Sequence, residues 1–347
     1  LEAALQAGFL SVGMNVRLLG PLPTPGVAYL TKSFRNQRGI VISASHNNYQ
    51  DNGIKIFDNS GVKIDRKIEM MIENILSEKI TSLPSVEIGK AKRFDESGSR
   101  YVEFCKSTVP DDISFTDLRI VLDCANGASY KVSPDVFREL GAETIVVGDQ
   151  PDGFNINQDC GSTNPELVQK LVKEHRADFG VSLDGDADRV GIVDSSGKII
   201  YPDIQMILYA GQVLEKNKNA TIIFDVKCSN VLKNFIEENS GIAYMSKTGH
   251  SFIKKNLFEK NALLAGEMSG HIFFKDRWFG FDDAIYAGSR MLEILSEKEQ
   301  SSSEIFSELP QNLSTPEINI SVSDENKFSM ISKLIKILEK ESGEISS

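Results

Sequence analysis

Residues 39–57, GIVISASHNNYQDNGIKIF, hold a hydroxyl, an imidazole and an amine in one short span: Ser45, His46 and Lys55. Ile40, Val41 and Ile42 form a β-branched run that predicts a buried strand. Asp51, Asn52 and Gly53 supply turn chemistry before Ile54–Phe57 resumes extended structure. A polar hairpin is the plain alternative, but the loop is longer than a hairpin needs, and such loops are more often functional. A second stretch, Asp184-Gly-Asp186-Ala-Asp188-Arg189, places three carboxylates at alternate positions after a predicted strand. Close carboxylates repel unless a cation lies between them, and oxygen-only ligands suit a hard ion such as Mg²⁺. A calcium loop is disfavoured because its sixth and twelfth positions are Arg189 and Ser195; a solvated acidic turn is the remaining alternative. In Gly266-Glu267-Met-Ser269-Gly-His271, three polar side chains alternate on a tight loop and could read sugar hydroxyls. Lys247-Thr-Gly-His250 is a weaker candidate for substrate contact, with a solvated turn as its default.

The elements that must position these residues follow from periodicity. Residues 1–14 read as a helix, 15–19 as a strand, 26–34 as a helix and 66–77 as a helix. A polar connection from Glu78 to about Arg93 marks a boundary. The second unit repeats the order: helix 99–109, strand 119–124, helix 132–140, strand 144–147, helix 165–174 and strand 177–183, then a hairpin of 190–193 with 198–201. The third has helix 203–216, strand 220–226, helix 229–238, strand 242–246, helix 250–260, strand 262–265 and helix 282–296. Ser301–Ser303 read as a polar linker, 317–322 as a strand and 327–340 as an amphipathic helix. The segment around Trp278 reads as packing. Alternating helices and strands predict consecutive layered α/β/α domains with mixed, mainly parallel sheets, closing on a truncated C-terminal α+β unit. The expected units are 1–90, 95–200, 201–312 and 313–347.

The chain has 347 residues, a net charge of −11, 41 % hydrophobic and 25 % charged residues. That charge argues against nucleic acid or an acidic membrane as partner, and leaves an anionic small substrate only if a local basic pocket receives it. No apolar run is long enough to span a bilayer. Cys105, Cys124, Cys160 and Cys228 form no CxxC pair and suit a reducing, cytoplasmic setting better than a disulfide framework.

These motifs resemble those of the α-D-phosphohexomutase superfamily. Ser43–Asn47 matches its T/S-A-S-H-N-P serine loop, with Asn48 in place of the proline. Residues 184–189 match D-G-D-[GA]-D-R, and 266–271 match G-E-x-S-G-H, at every position. Up to about Ile199 the chain is most similar to the phosphoglucosamine mutase branch (GPLPTPGVAYL, FNINQDCGSTNPE). From about Tyr201 it is more similar to the phosphomannomutase/phosphoglucomutase branch (KTGHSFIKK, GEMSGHIFFKDRWFGFDD). The resemblance implies a mutase interconverting 6-phospho and 1-phospho forms of a hexose or hexosamine through a phosphoserine. Ser45 would carry the phosphoryl group, and Lys55 and His271 would move protons. Asp184, Asp186, Asp188 and the Ser45 phosphoryl oxygen would hold one Mg²⁺. His46, Arg189, Lys247, His250, Glu267 and Ser269 would bind the phosphosugar, and a hexose 1,6-bisphosphate would act as activator. It also implies an N-terminally truncated first unit (1–90), a metal-binding second, a sugar-specificity third, and the start of a phosphate-binding fourth, so that the chain would be partly or wholly inactive. Two rivals remain at this stage: a Mg²⁺-dependent phosphatase with Asp184 as nucleophile, and an inactive ligand-binding fragment.

Overall fold

Prolines set the turns of the first unit. Pro25 sits in the first turn of a helix, where a missing N–H leaves no bond unmade, so this helix begins at Thr24 rather than at the expected Gly26. A computed structural model of the chain describes residues 1–34, 38–310, 322–323 and 326–342. The unit runs α1 (Glu2–Ser11), β1 (Val16–Leu18), α2 (Thr24–Ser33), β2 (Gly39–Ile42), β3 (Ile54–Phe57), α3 (Arg66–Ile75) and β4 (Ala91–Arg93). β2 and β3 pair antiparallel with Val41 opposite Lys55. Asp65 caps α3 by accepting from the Ile68 N–H at 2.9 Å. β4 lies inside the expected polar connection and pairs in parallel with β1. All three of its residues are exposed, so no apolar alternation marks it. A groove of about 1220 Å³ is lined by β1 and β2. It reaches Ser45 and Asp186 but not Lys55, Asp184 or His271, so it is not where the reactive groups converge.

The second unit comprises α4 (Ser97–Lys106), β5 (Arg119–Asp123), α5 (Val132–Glu139), β6 (Glu143–Val147), α6 (Glu166–His175), β7 (Phe179–Leu183), β8 (Val190–Asp194) and β9 (Ile199–Ile200). Its sheet order is β6-β5-β7-β8-β9, parallel through β7 and antiparallel after it. Every residue of β7 is buried, as expected for a strand covered on both faces.

In the third unit α7 (Pro202–Lys216), β10 (Thr221–Asp225), α8 (Asn230–Glu238), β11 (Ile242–Ser246), α9 (His250–Glu259), β12 (Leu264–Gly266), β13 (Ile272–Phe274) and α10 (Ala284–Ser296) build a sheet ordered β11-β10-β12-β13. β13 is three residues long and sits one residue past the Gly266–Gly270 turn, too short for its period to register. The expected linker at Ser301–Ser303 instead starts α11 (Ser302–Glu308). Ser301 and Glu304 form a reciprocal capping box there, the S-x-x-E signal of a helix start. α12 (Lys327–Ser342) follows. The predicted strand at 317–322 falls almost wholly outside the described residues.

One hydrophobic core runs through all three units. Its spine is a pile of rings: Tyr29 on Phe104 at 3.9 Å, Phe104 on Trp278 at 4.3 Å, and Trp278 on Tyr286 at 4.0 Å between centroids. α10 is buried along nearly its whole length. Its Arg290 is 2 % exposed and pairs with Asp276 and Gln212, because a buried guanidinium must find acceptors. Asp283 caps α10 and accepts from the Tyr101 hydroxyl of α4 at 2.7 Å. These contacts fix the third unit against the first two, so loops from all three meet at one place.

Candidate active site

Ser45 lies between β2 and β3 in the left-handed region, with φ 55, a conformation that costs a residue other than glycine about 1 kcal/mol or more. The Ser43 hydroxyl accepts from its N–H at 2.9 Å. Its Oγ donates to Asp184 Oδ2 at 2.8 Å, and His46 Nδ1 is 3.5 Å away. Burial and the nearby Arg189 charge lower the His46 pKa from its usual value, so this imidazole is neutral at pH 7. Gly185 lets the second unit approach: a side chain there would lie 2.6 Å from the Ser45 carbonyl.

The three aspartates follow β7 and are almost fully buried. One oxygen of each lies within 4.8 Å of the others. Lys55 Nζ reaches across from β3 and donates to Asp186 Oδ2 at 2.6 Å and Asp188 Oδ2 at 2.9 Å. The Thr24 hydroxyl donates to the same Asp186 oxygen at 2.5 Å, and its N–H to the Asp186 carbonyl at 3.0 Å. Burial would depress Lys55, but the two carboxylates outweigh it and raise its pKa far above the usual lysine range. Burial, with repulsion from its neighbours, raises Asp184 and Asp186. Burial would also raise Asp188, yet His271 and Lys55 hold it well below the ordinary carboxylate value. Asp186 Oδ1 and Asp188 Oδ1 are buried and carry no hydrogen bond, although Asp188 Oδ1 faces His271 Nε2 as an ion pair at 3.4 Å. One orphaned carboxylate oxygen, on Asp186, within a buried cluster of three carboxylates fits a hard divalent cation.

The third unit enters through its 266–271 loop. Arg189 and His271 form an antiparallel bridge, and the Val190 N–H donates to the Gly270 carbonyl at 3.0 Å. His271 Nε2 is 3.4 Å from Asp188 Oδ1, and its Nδ1 is 3.1 Å from Glu267 Oε2. Burial would lower His271, but Asp188 and Glu267 more than offset it and push the pKa up to about 10. Glu267 Oε1 accepts from the Gly249 N–H at 2.6 Å, which ties the 247–250 loop to this one. The His250 ring lies tilted at 33° to that of His271, 5.8 Å between centroids, and burial lowers its pKa to about 4.

Ser45, His46, Lys55, Asp184, Asp186, Asp188, Arg189, Glu267 and His271 are therefore joined by direct contacts or through one intervening group. Ser269 is exposed and shares a hydrogen bond with His271 Nδ1 at 2.8 Å. Lys247 is exposed at the start of its loop and makes none of these contacts. Glu267, expected to face sugar hydroxyls, instead has each oxygen engaged by a neighbouring loop group. Three further residues contact these groups without a local signal in the sequence. Thr24 stood inside PLPTP, which reads only as a turn. Asn157, in FNINQDCGSTNPE, donates to the main chain of the serine loop. Asp282 is buried, pairs with Lys254 at 2.6 Å and clusters with Asp188 and His271. No local pattern distinguishes such residues, because their partners lie on other elements, more than a hundred positions away for Thr24 and Asn157.

Residues 1–82, 99–197 and 201–313 match three family models, described as phosphoglucomutase/phosphomannomutase alpha/beta/alpha domains I, II and III. The chain is 41 % identical to the phosphoglucosamine mutase of Chromobacterium violaceum over 317 residues, covering 90 % of this chain and 71 % of that protein. It is 40 % identical to the phosphoglucosamine mutase of Citrifermentans bemidjiense, covering 97 % and 75 %. Among solved structures, a phosphoglucomutase/phosphomannomutase family protein from Burkholderia thailandensis superimposes with a TM-score of 0.80 at 36 % identity, covering 91 % of this chain and 69 % of that one.

Proposed function

This chain belongs to the α-D-phosphohexomutase superfamily and is a phosphohexose mutase, an isomerase, and we propose that Ser45 is the residue that carries its phosphoryl group. The observation behind this reading is Ser45 Oγ held 2.8 Å from Asp184, on the rim of a buried carboxylate triad in which Asp186 Oδ1 has no partner. In the first half-reaction a sugar hydroxyl oxygen bonds to phosphorus as the bond from phosphorus to Ser45 Oγ breaks; the hydroxyl loses a proton and Oγ gains one. The bound bisphosphate then reorients. In the second half-reaction Oγ bonds to the other phosphorus, the sugar oxygen leaves, and the enzyme is restored. In this reading neutral His46, its Nδ1 3.5 Å from Oγ, would relay the Ser45 proton, and protonated Lys55 and His271 would set positive charge beside the developing negative charge. Asp184, Asp186 and Asp188 would hold Mg²⁺, which when bound supplies charge neutralisation for the transferring group. Arg189 would bind the same phosphate, while Lys247, His250, Glu267 and Ser269 would shape the sugar site.

On this reading residues 1–90 supply the serine, 95–200 the metal loop and 201–312 the sugar loop, and 313–347 belong to a phosphate-binding unit. The substrate is a hexosamine phosphate, in keeping with the relatives named phosphoglucosamine mutase, with a hexose 1,6-bisphosphate as activator. The test is labelling with ³²P-glucose 1,6-bisphosphate. Acid-stable label on Ser45, absent in Ser45→Ala, supports the proposal. An acid-labile acyl phosphate on Asp184 would overturn it in favour of a phosphatase. Asp184 is poorly placed for that role, since its Oδ1 accepts from the Asp188 and Arg189 N–H groups and its Oδ2 from Ser45. Assays on glucosamine, mannose and glucose phosphates side by side test the sugar.

A further inference from the structure

Ser45 holds a left-handed backbone, which its own loop supports through the Ser43 hydroxyl, 2.9 Å from the Ser45 N–H. A second restraint, on the carbonyl side, comes from the second unit. Asn157 is 4 % exposed and sits in the loop between β6 and α6. Its amide nitrogen donates to two main-chain carbonyls of the serine loop, Ser45 at 3.0 Å and Asn47 at 2.9 Å. Two carbonyl acceptors fix which end of the amide faces them. Asn157 is itself left-handed, with φ 56. Its N–H donates to the Ala125 carbonyl at 2.9 Å. Asp123, at the end of β5, clamps that support by accepting from the Ala125 and Gly161 N–H groups at 2.8 and 2.6 Å. A rigid strand end in the second unit is thereby connected, through one amide, to the nucleophile in the first.

We propose that Asn157 is a positioning residue for phosphoryl transfer, bolting the Ser45 and Asn47 carbonyls so that Ser45 Oγ stays aimed at the aspartate triad through both half-reactions. This rests on the reading of Ser45 as the phosphoryl carrier. The sugar and the ion do not touch Asn157 in this reading, so its loss acts on transfer rather than on binding. Misplacing a reacting atom by about 1 Å costs on the order of a hundredfold in rate.

The chosen variant is Asn157→Gly, because glycine takes the left-handed backbone without strain while removing the amide. Asn157→Asp keeps the shape but points a carboxylate at two carbonyls. Asn126→Gly is the control. It loosens the same loop by deleting bonds to the Asn155 carbonyl and the Gln150 N–H, 3.3 and 3.1 Å, without touching the serine loop. Full-length enzyme is labelled on Ser45 with ³²P-glucose 1,6-bisphosphate and chased with glucosamine 6-phosphate in a single turnover. Asn157→Gly should transfer about 10- to 100-fold more slowly, and Asn157→Asp more slowly still, with KM and Mg²⁺ affinity within about threefold of wild type. Asn126→Gly should transfer within about twofold of wild type. Wild-type transfer in both Asn157 variants, or an equal loss in Asn126→Gly, would overturn the inference while leaving the phosphoserine intact. If Asn157→Gly does not fold, Asn157→Asp gives the same readout. Wild-type enzyme that takes no label on Ser45 would overturn the parent reading, and this one with it.

Discussion

Replacing Lys55 by methionine should destabilise the protein less when Mg²⁺ is present than when it is absent, and should tighten Mg²⁺ binding. Lys55 Nζ is the cation that answers Asp186 and Asp188 at 2.6 and 2.9 Å. Those carboxylates are 2 % and 6 % exposed, while the lysine side chain is 21 % exposed. Breaking a buried pair from one side costs about 3–5 kcal/mol, and partial exposure of Lys55 places the metal-free loss near the lower end, about 3 kcal/mol. Mg²⁺ at a hundred times its Kd stabilises the fold by about 2.7 kcal/mol. Lysine and ion share two carboxylates and repel each other, so their coupling is unfavourable. Couplings of this kind are commonly about 1–3 kcal/mol, and they are reciprocal. At about 1.4 kcal/mol, the variant's deficit should fall from about 3 to about 1.6 kcal/mol in saturating Mg²⁺, and its Mg²⁺ Kd should tighten about tenfold. Urea unfolding followed by the single Trp278, stacked between Phe104 and Tyr286, gives the first number; calorimetric titration gives the second. An equal deficit with and without Mg²⁺, together with an unchanged Kd, would refute the shared-carboxylate argument.

Asp186→Ala should weaken Mg²⁺ binding at least tenfold by calorimetry, because it removes the unpartnered oxygen of the triad; unchanged affinity would make the triad a structural turn. In metal-free enzyme His271, raised to about 10, should contribute stability that is complete below about pH 6.5 and lost as pH climbs toward 10, since the folded state alone keeps the proton in that window. His250, lowered to about 4, acts in the opposite sense: stability falls as pH drops from about 6.5 to 4, where the unfolded chain binds the proton first. Thermal melts across pH should therefore lose their alkaline decline in His271→Gln and keep their acidic one; an unaltered alkaline limb would contradict the Asp188 and Glu267 pairing.

The local half of this protein is legible in its residues. Val41 and its neighbours, the Asp51-Asn-Gly53 turn and the alternating aspartates after an apolar run specify a strand, a loop and a metal-type turn. They do so because periodicity and turn chemistry act between residues a few positions apart. Nearly every helix, and strands with an apolar face such as β5, β7 and β10, announce themselves for the same reason. β4 does not, since its exposed side chains alternate with nothing and only its backbone pairing with β1 makes it a strand. α11 was hidden because Ser301 and Glu304 look like linker residues until their reciprocal cap is seen. Only the tertiary structure decided which groups share a site. Ser45 and Asp184 are 139 positions apart, and Lys55 meets Asp186 from a different sheet. His271 is charged rather than neutral because Asp188, from another unit, faces it inside a buried cluster. The same packing turned both Glu267 oxygens inward and put Thr24 and Asn157 against the reactive loops. Burial and opposing charge are properties of the assembled neighbourhood. A one-dimensional pattern holds the side chains, but not the distances and desolvation that set what each one does.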